Sequence, residues 1–349
     1  MPPIKGGETL VTHLVLHIGH PKTGTTSLQF ALRGNVKLLN KYGIHYPDSG
    51  VDHKHASAAP FLLGSENPAL RRRLNATGPE LVAKSEKVWK RIVRDCKKRH
   101  PSAIVLSGEA YWGAPDASKA TGMRSKLGEL CSTAEVVGYL RSPAPLFLSR
   151  LNQRTRMTQT LPVVSPHFYR KPISAYMGGG FQRISLQVFD RAEMVNGDVV
   201  DDFCAHFLPD LKESLDRDVI ARSNDSISAE AMALIQEFDI PNLDVSAQRK
   251  RQFRNRVVRT VRECDQALAG FARPRLFPEV ADAVVARSLD LTWLRDEHGI
   301  VFKDVDYARV GTSVDLKLEE LIRIPEFCPL DQDRLLDLRA QVKERVSSP

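Results

Sequence analysis

The sequence predicts an α/β fold: a parallel sheet flanked by helices, followed by a mostly helical C-terminal part. Three observations carry this. Short apolar runs recur at about 11–18, 103–106, 136–140 and 183–189, separated by segments of helical pattern, an alternation that places helices on both faces of a parallel sheet. The first run ends in a glycine- and threonine-rich turn that opens directly into a helix. From Ser228 onward the pattern is mostly helical. At 349 residues the chain suffices for a large core. We read 1–349 as a single domain, with an α/β core over 11–210 and a helical extension over 225–349.

Val11–Ile18, β-branched and leucine-rich, suits a strand buried on both faces. Thr25 to about Lys41 reads as a helix, Gly43–Pro47 as a short second strand, and about 79–99 as a charged helix. Ala103–Leu106 is a third strand running into Ser107-Gly108-Glu109, and a helix over Ala117–Leu130 follows. Val136–Leu140 is a fourth strand, ending in Arg141; Pro143 fits the first turn of a helix that reaches Met157. Thr158–Gly180, with Pro162, Pro166, Pro172 and three glycines, reads as irregular and as the substrate-gating loop, since loops of that length are usually functional or disordered. Arg183–Phe189 alternates apolar and polar as a further strand.

The turn after the first strand has the chemistry of a phosphate cradle. Gly19 and Gly24 let the backbone bend and bring amides close to an anion. Thr25, Thr26 and Ser27 add hydroxyls where the next helix exposes unpaired N–H groups and its positive dipole end, and Lys22 supplies a full charge. In the triphosphate loop GxxxxGK[ST], the lysine follows the second glycine and the next hydroxyl holds Mg²⁺. Gly19 and Gly24 keep that spacing, which makes the expected sheet P-loop-type, but Thr25 stands in the lysine's place and Lys22 lies inside the loop.

Pro21–Thr26, PKTGTT, resembles the 5′-phosphosulfate loop, PKxGTT, of sulfotransferases that use 3′-phosphoadenosine 5′-phosphosulfate (PAPS). Residues 135–151, EVVGYLRSPAPLFLSRL, resemble the second nucleotide segment of the same superfamily. Fainter likenesses to bacterial members lie in GIHYPDSGVDHKH, RISLQVFDRAEMVNGDVVDDF, NDSIS and LTWLRDEHGI. The resemblance implies a metal-free sulfotransferase with a nucleotide-binding α/β core. Pro21, Lys22, Thr23, Gly24, Thr25, Thr26 and Ser27 would hold the 5′ end, and Arg141 and Ser149, eight residues apart, would clamp the 3′-phosphate. Arg141 can grip phosphate bidentately and Ser149 can add a hydroxyl bond.

Sulfuryl transfer needs a base for the acceptor oxygen and positive charge on the departing phosphate. Lys22 supplies the charge. The resemblance implies a histidine or glutamate base, and in Asp52-His53-Lys54-His55-Ala56 we choose His55, with His53 in reserve, because an imidazole titrates near working pH. Glu109 is the third candidate: it follows a strand, where open α/β sheets place ligands, and where the cytosolic branch of the family has a histidine. His17 reads as packed within its strand; His20 lines the site or fills the turn.

Composition fits a soluble enzyme. Cys96, Cys131, Cys204, Cys264 and Cys328 lie far apart with no CxxC pair, which speaks against a disulfide framework or zinc site and for a reducing compartment. No apolar run approaches transmembrane length and the N-terminus has no signal-peptide core, so a cytoplasmic location is expected. Arg249, Lys250, Arg251, Arg254, Arg256, Arg259 and Arg262 form an acid-free stretch on a helix whose buried stripe is Phe253, Val257 and Val261. It reads as a solvated face or as contact with an anionic acceptor, a polysaccharide or lipid head group. No nucleic-acid partner is expected, because no RNA-binding signature, zinc-finger spacing or interleaved aromatic is present. The acceptor, a carbohydrate, lipid or small molecule, is not specified. Two rivals are a P-loop kinase-like phosphotransferase, which would need the lysine after Gly24 and an acidic metal ligand at a strand end, and a non-catalytic nucleotide-binding module acting through its basic helix.

Overall fold

Strands β1 (His13–His17), β2 (Ile44–His45), β3 (Ala103–Ser107), β4 (Thr133–Leu140) and β5 (Arg183–Val188) form one all-parallel sheet in the order β2-β3-β1-β4-β5. The structure, a computed structural model, describes residues 12–113, 116–158, 161–162, 164, 169–217, 226–238 and 240–346. Leu14 pairs in register with Ile104 and Ala134, and Val136 with Ile184. Because successive side chains alternate across a strand, the sheet feeds two cores. Leu14, Leu16, Ile104, Leu106 and Val136 pack with Trp89 and Ile92 of helix α5 (Gly78–Arg99) and Met123 and Leu127 of α6 (Ala117–Leu127). On the opposite face, Val15, Val105 and Val137 pack with Leu28 and Leu32 of α1 (Thr25–Gly34) and Phe203 of α9 (Val199–Phe207). The near-continuous apolar runs of β1 and β4 follow from this two-sided burial.

The described residues fall into two compact units. One comprises Met1–Arg141, Tyr169–Ala221 and Trp293–Phe302 and holds the sheet; the other comprises Ser142–Phe168, Arg222–Thr292 and Lys303–Pro349. The division is not the single cut expected near 210–225. Helix α7 (Pro143–Met157) belongs with the helical unit, and 293–302 returns to the sheet unit. The helical unit is built around α10 (Ala229–Glu237), α11 (Ala247–Ala267), α12 (Pro278–Ala286) and α15 (Gln332–Arg345). Among the described residues no helix is long and apolar enough to cross a membrane, and the five cysteines are unbridged.

Several elements differ from expectation for local reasons. The helix expected over Thr25–Lys41 breaks at Asn35, whose side-chain amide donates to the Ala31 and Asp216 carbonyls at 2.9 and 3.0 Å; α2 (Val36–Lys41) restarts beyond it. The second strand shrinks to Ile44–His45, and β4 begins earlier, at Thr133. Within Thr158–Gly180, residues 159–160, 163 and 165–168 lie outside the described residues, as does Val11, and α8 (Arg170–Met177) occupies much of the remainder.

The sheet topology also has a switch point. β1 connects to α1 on one face, whereas β3 leads through a 3₁₀ turn, Glu109–Gly113, to α6 on the other. Connections that diverge between neighbouring parallel strands open a ligand crevice at their C-terminal ends.

Candidate functional site

The loop after β1 is shaped by three left-handed residues: Gly19 (φ 57°), Lys22 (φ 66°) and Gly24 (φ 72°). A Cβ on Gly19 would lie 3.1 Å from the Glu109 Cα, and one on Gly24 would lie 2.8 Å from Cγ1 of Val199. Both glycines therefore permit close backbone approach as well as the turn. Thr23 closes the loop by donating its hydroxyl to the His20 carbonyl at 2.7 Å. Lys22 is the loop's non-glycine residue in a region that ordinary side chains avoid.

The start of α1 has local chemistry that suits an anion. It has no side-chain cap and no acid in its first turn, so nothing in the helix itself neutralises the exposed N–H groups of Thr25–Ser27 or the dipole. The Thr25 hydroxyl is buried with no hydrogen-bond partner among the described residues. One turn on, Gln29 Nε2 donates to Ser107 Oγ at 3.1 Å, and the same hydroxyl meets His17 Nδ1 at 2.8 Å. His17 Nε2 and Gln29 Oε1 lack partners among the described residues. Burial pulls the His17 pKa down to about 4, holding the ring neutral.

Arg141 leaves the end of β4 and donates Nη1 to the Lys22 carbonyl at 3.1 Å. Its own carbonyl accepts from the Tyr169 hydroxyl at 2.7 Å, and its guanidinium lies over the Phe189 ring. The strand-end arginine and the loop expected to hold the 5′ phosphate are thus in direct contact. Ser149 lies half-buried on α7, in the helical unit.

His55 does not have the environment of a base, which corrects the expectation placed on it. It is 1 % exposed. Its Nε2 is 2.8 Å from the Pro47 carbonyl, and its Nδ1 accepts the Ser107 N–H at 3.0 Å. This fixes the tautomer and leaves neither nitrogen to take a proton from an acceptor. The His55 N–H also donates to the Ser107 carbonyl, and its own carbonyl accepts from Tyr111. Burial lowers its pKa to about 4. His55 is a latch on the end of β3. His53 stacks on Phe30, ring centroids 3.9 Å apart, and burial lowers its pKa as well.

Glu109 is placed differently. It is exposed, opens the 3₁₀ turn after β3, and its backbone packs directly against Gly19 at the C-terminal ends of β1 and β3. Trp112 of the same turn meets the His20 ring edge-on at 4.5 Å, and Tyr169 stacks on His20 at 5.5 Å. His20 is buried among these rings. Sequence reading did not reach the Arg141–Lys22 contact, the Tyr169 support or the Ser107 hub. The available signal for the hub was three polar residues, His17, Gln29 and Ser107, in otherwise apolar stretches.

No family model, no curated protein and no solved structure matches the chain.

Proposed function

We propose that the protein is a PAPS-dependent sulfotransferase acting on the hydroxyl, or the amine, of a carbohydrate, lipid or small molecule, with a P-loop-type phosphate cradle at the end of β1. The observation that carries this is the contact between Arg141 and the Lys22 carbonyl. It joins the two sequence segments that resemble the family's nucleotide clamps into one positively charged end of the sheet. The chemistry around the loop fits a phosphosulfate: an uncapped, acid-free helix start, a buried Thr25 hydroxyl with no partner among the described residues, and backbone tight enough to require glycine. The bound nucleotide supplies an activated sulfuryl group.

Lys22 and the amides of Thr25–Ser27 stabilise the charge that grows on the phosphate oxygen as the S–O bond breaks. Arg141, with Ser149 as the resemblance implies, holds the 3′-phosphate. Glu109 replaces His55 as the base: its exposed side chain, beside the loop, takes the proton released as the acceptor oxygen bonds to sulfur. His55 then acts through the Ser107 end of β3, two residues before Glu109.

Calorimetric titration without added metal, using 3′,5′-phosphoadenosine against ATP, tests the reading. Micromolar bisphosphate binding, weakened at least tenfold in Arg141→Ala, is expected. No bisphosphate binding, with ATP binding that requires Mg²⁺, would overturn it in favour of a kinase-like enzyme. Once an acceptor is found by screening, Glu109→Gln should cut kcat by about 10²–10⁴ with bisphosphate affinity retained; unchanged turnover would remove Glu109 from the chemistry.

A further inference from the structure

Helix α11 differs from the rest of the surface in how its charge is managed. Elsewhere Arg33, Arg71, Arg91, Arg287 and Arg339 each hold a carboxylate at 2.6–2.9 Å. On α11, Arg249, Arg251, Arg254, Arg259 and Arg262 have no ion pair among the described residues. The first acid, Glu263, comes only after the run. Phe253, Val257, Val261 and Cys264 turn inward to the core of the helical unit. The outward face carries Arg251, Asn255, Arg259 and Arg262, all exposed, at the i, i+4, i+8 and i+11 spacing of one row about 16 Å long.

Helix α7, which packs against α11, brings a further guanidinium near Arg262. Arg156 of α7 lies close enough to Arg262 that burial and the like charge together hold its pKa below the ordinary range, and burial does the same to Arg254. Arg156 and Arg254 are thus partly desolvated beside the exposed row, and like charge is gathered there instead of being neutralised. Such repulsion is relieved by an external anion.

We infer that this row is a docking surface for a linear anionic polysaccharide, bearing sulfate or carboxylate groups along its length. Guanidinium forks pair with either group bidentately, and a straight, narrow row matches a linear chain of charges. A bilayer fits less well, because the apolar face of α11 is consumed by the core and its exposed row has no side chain to insert. Single-stranded nucleic acid would call for aromatic platforms, and the row has none. The surface is independent of the proposed nucleotide chemistry.

The test uses the full chain with fluorescein-labelled heparin and polygalacturonate, titrated over a range of NaCl concentrations. Phosphatidylglycerol vesicles and duplex DNA serve as comparisons. At least one polysaccharide should bind with strong salt dependence. The triple variant Arg251→Gln, Arg259→Gln, Arg262→Gln should bind at least tenfold more weakly, with a salt slope shallower by roughly three ions, as counterion release requires. Lys87→Gln, Lys97→Gln, Lys98→Gln makes the same charge change on exposed positions of α5 and should alter affinity less than twofold. Equal losses in the two variants, no binding to either polysaccharide, or tighter binding of vesicles or DNA would each overturn the inference. Titration with 3′,5′-phosphoadenosine should give wild-type affinity in the arginine variant, so failure here and failure of the nucleotide reading are read separately.

Discussion

Two buried polar clusters in this molecule are built on opposite principles. In the helical unit, Arg334 donates Nη1 to Asp265 Oδ1 at 2.8 Å and to Ser228 Oγ at 3.0 Å, Nη2 to the Asp265 carbonyl, and Nε to the Ala269 carbonyl. Asp265 and Glu230 are completed by the backbone amides of Ser228 and Asp331. In the sheet unit, around α1, Thr25 Oγ1, His17 Nε2 and Gln29 Oε1 are buried without partners among the described residues. Each such atom costs about 1–3 kcal/mol, so a cluster of them is poor design for stability alone. The satisfied cluster ties α10, α11 and α15 together; the unsatisfied one lies behind the loop between β1 and α1.

The sharpest way to break that contrast is Arg334→Met. Removing the cation leaves Asp265 (0 % exposed) and Glu230 (8 %) as buried carboxylates without it, and losing one member of a buried pair costs about 3–5 kcal/mol. Urea unfolding should show a loss of that size, with bisphosphate affinity of the folded protein unchanged. A loss below 1 kcal/mol would mean that the cluster is not what secures the C-terminal helix.

A smaller effect tests the latch. His17 and His55 are held at about 4 by burial, against 6.5 as the ordinary value. Between those values the unfolded chain binds more protons than the folded one. Their contribution to stability is therefore complete above about pH 6.5 and is lost as pH falls toward 4. His55→Asn should cost about 1–3 kcal/mol at pH 7 through lost hydrogen bonds and flatten the fall in stability between pH 6.5 and 4. A pH-stability curve with wild-type slope would show that His55 is not buried neutral. If the variant kept the wild-type acid limb of its pH–rate profile, the base would lie elsewhere, as Glu109 requires.

The same division explains what was legible in the sequence. The sheet could be read because β1 and β4 are buried on both faces and are apolar almost throughout. The tight turn into α1 could be read because Gly19, Gly24 and the hydroxyl run are contiguous along the chain. The burial of His55 could not, because it depends on long-range partners: Pro47 and Ser107 consume the imidazole, while the end of β3 carries Glu109 to the loop. The exchange of α7 and 293–302 between units was hidden for a related reason. Which core an amphipathic helix joins depends on the faces available after folding, and helical periodicity is the same for either core.

The finest distinction lies within the loop, at Lys22. A lysine at φ 66° is in a conformation that costs a non-glycine residue about 1–3 kcal/mol, while glycine adopts it freely but loses about 0.5–1 kcal/mol of chain entropy on folding. If Lys22 is retained for its charge, Lys22→Gly should leave thermal stability equal or raise it by about 0.5 kcal/mol, while weakening bisphosphate binding and cutting sulfuryl transfer more than Arg141→Ala does. Stability would then move opposite to function, as expected where a strained residue faces a ligand. A destabilised Lys22→Gly protein would reverse the argument: the lysine would be holding the loop through its own contacts, and its place in the cradle would be structural.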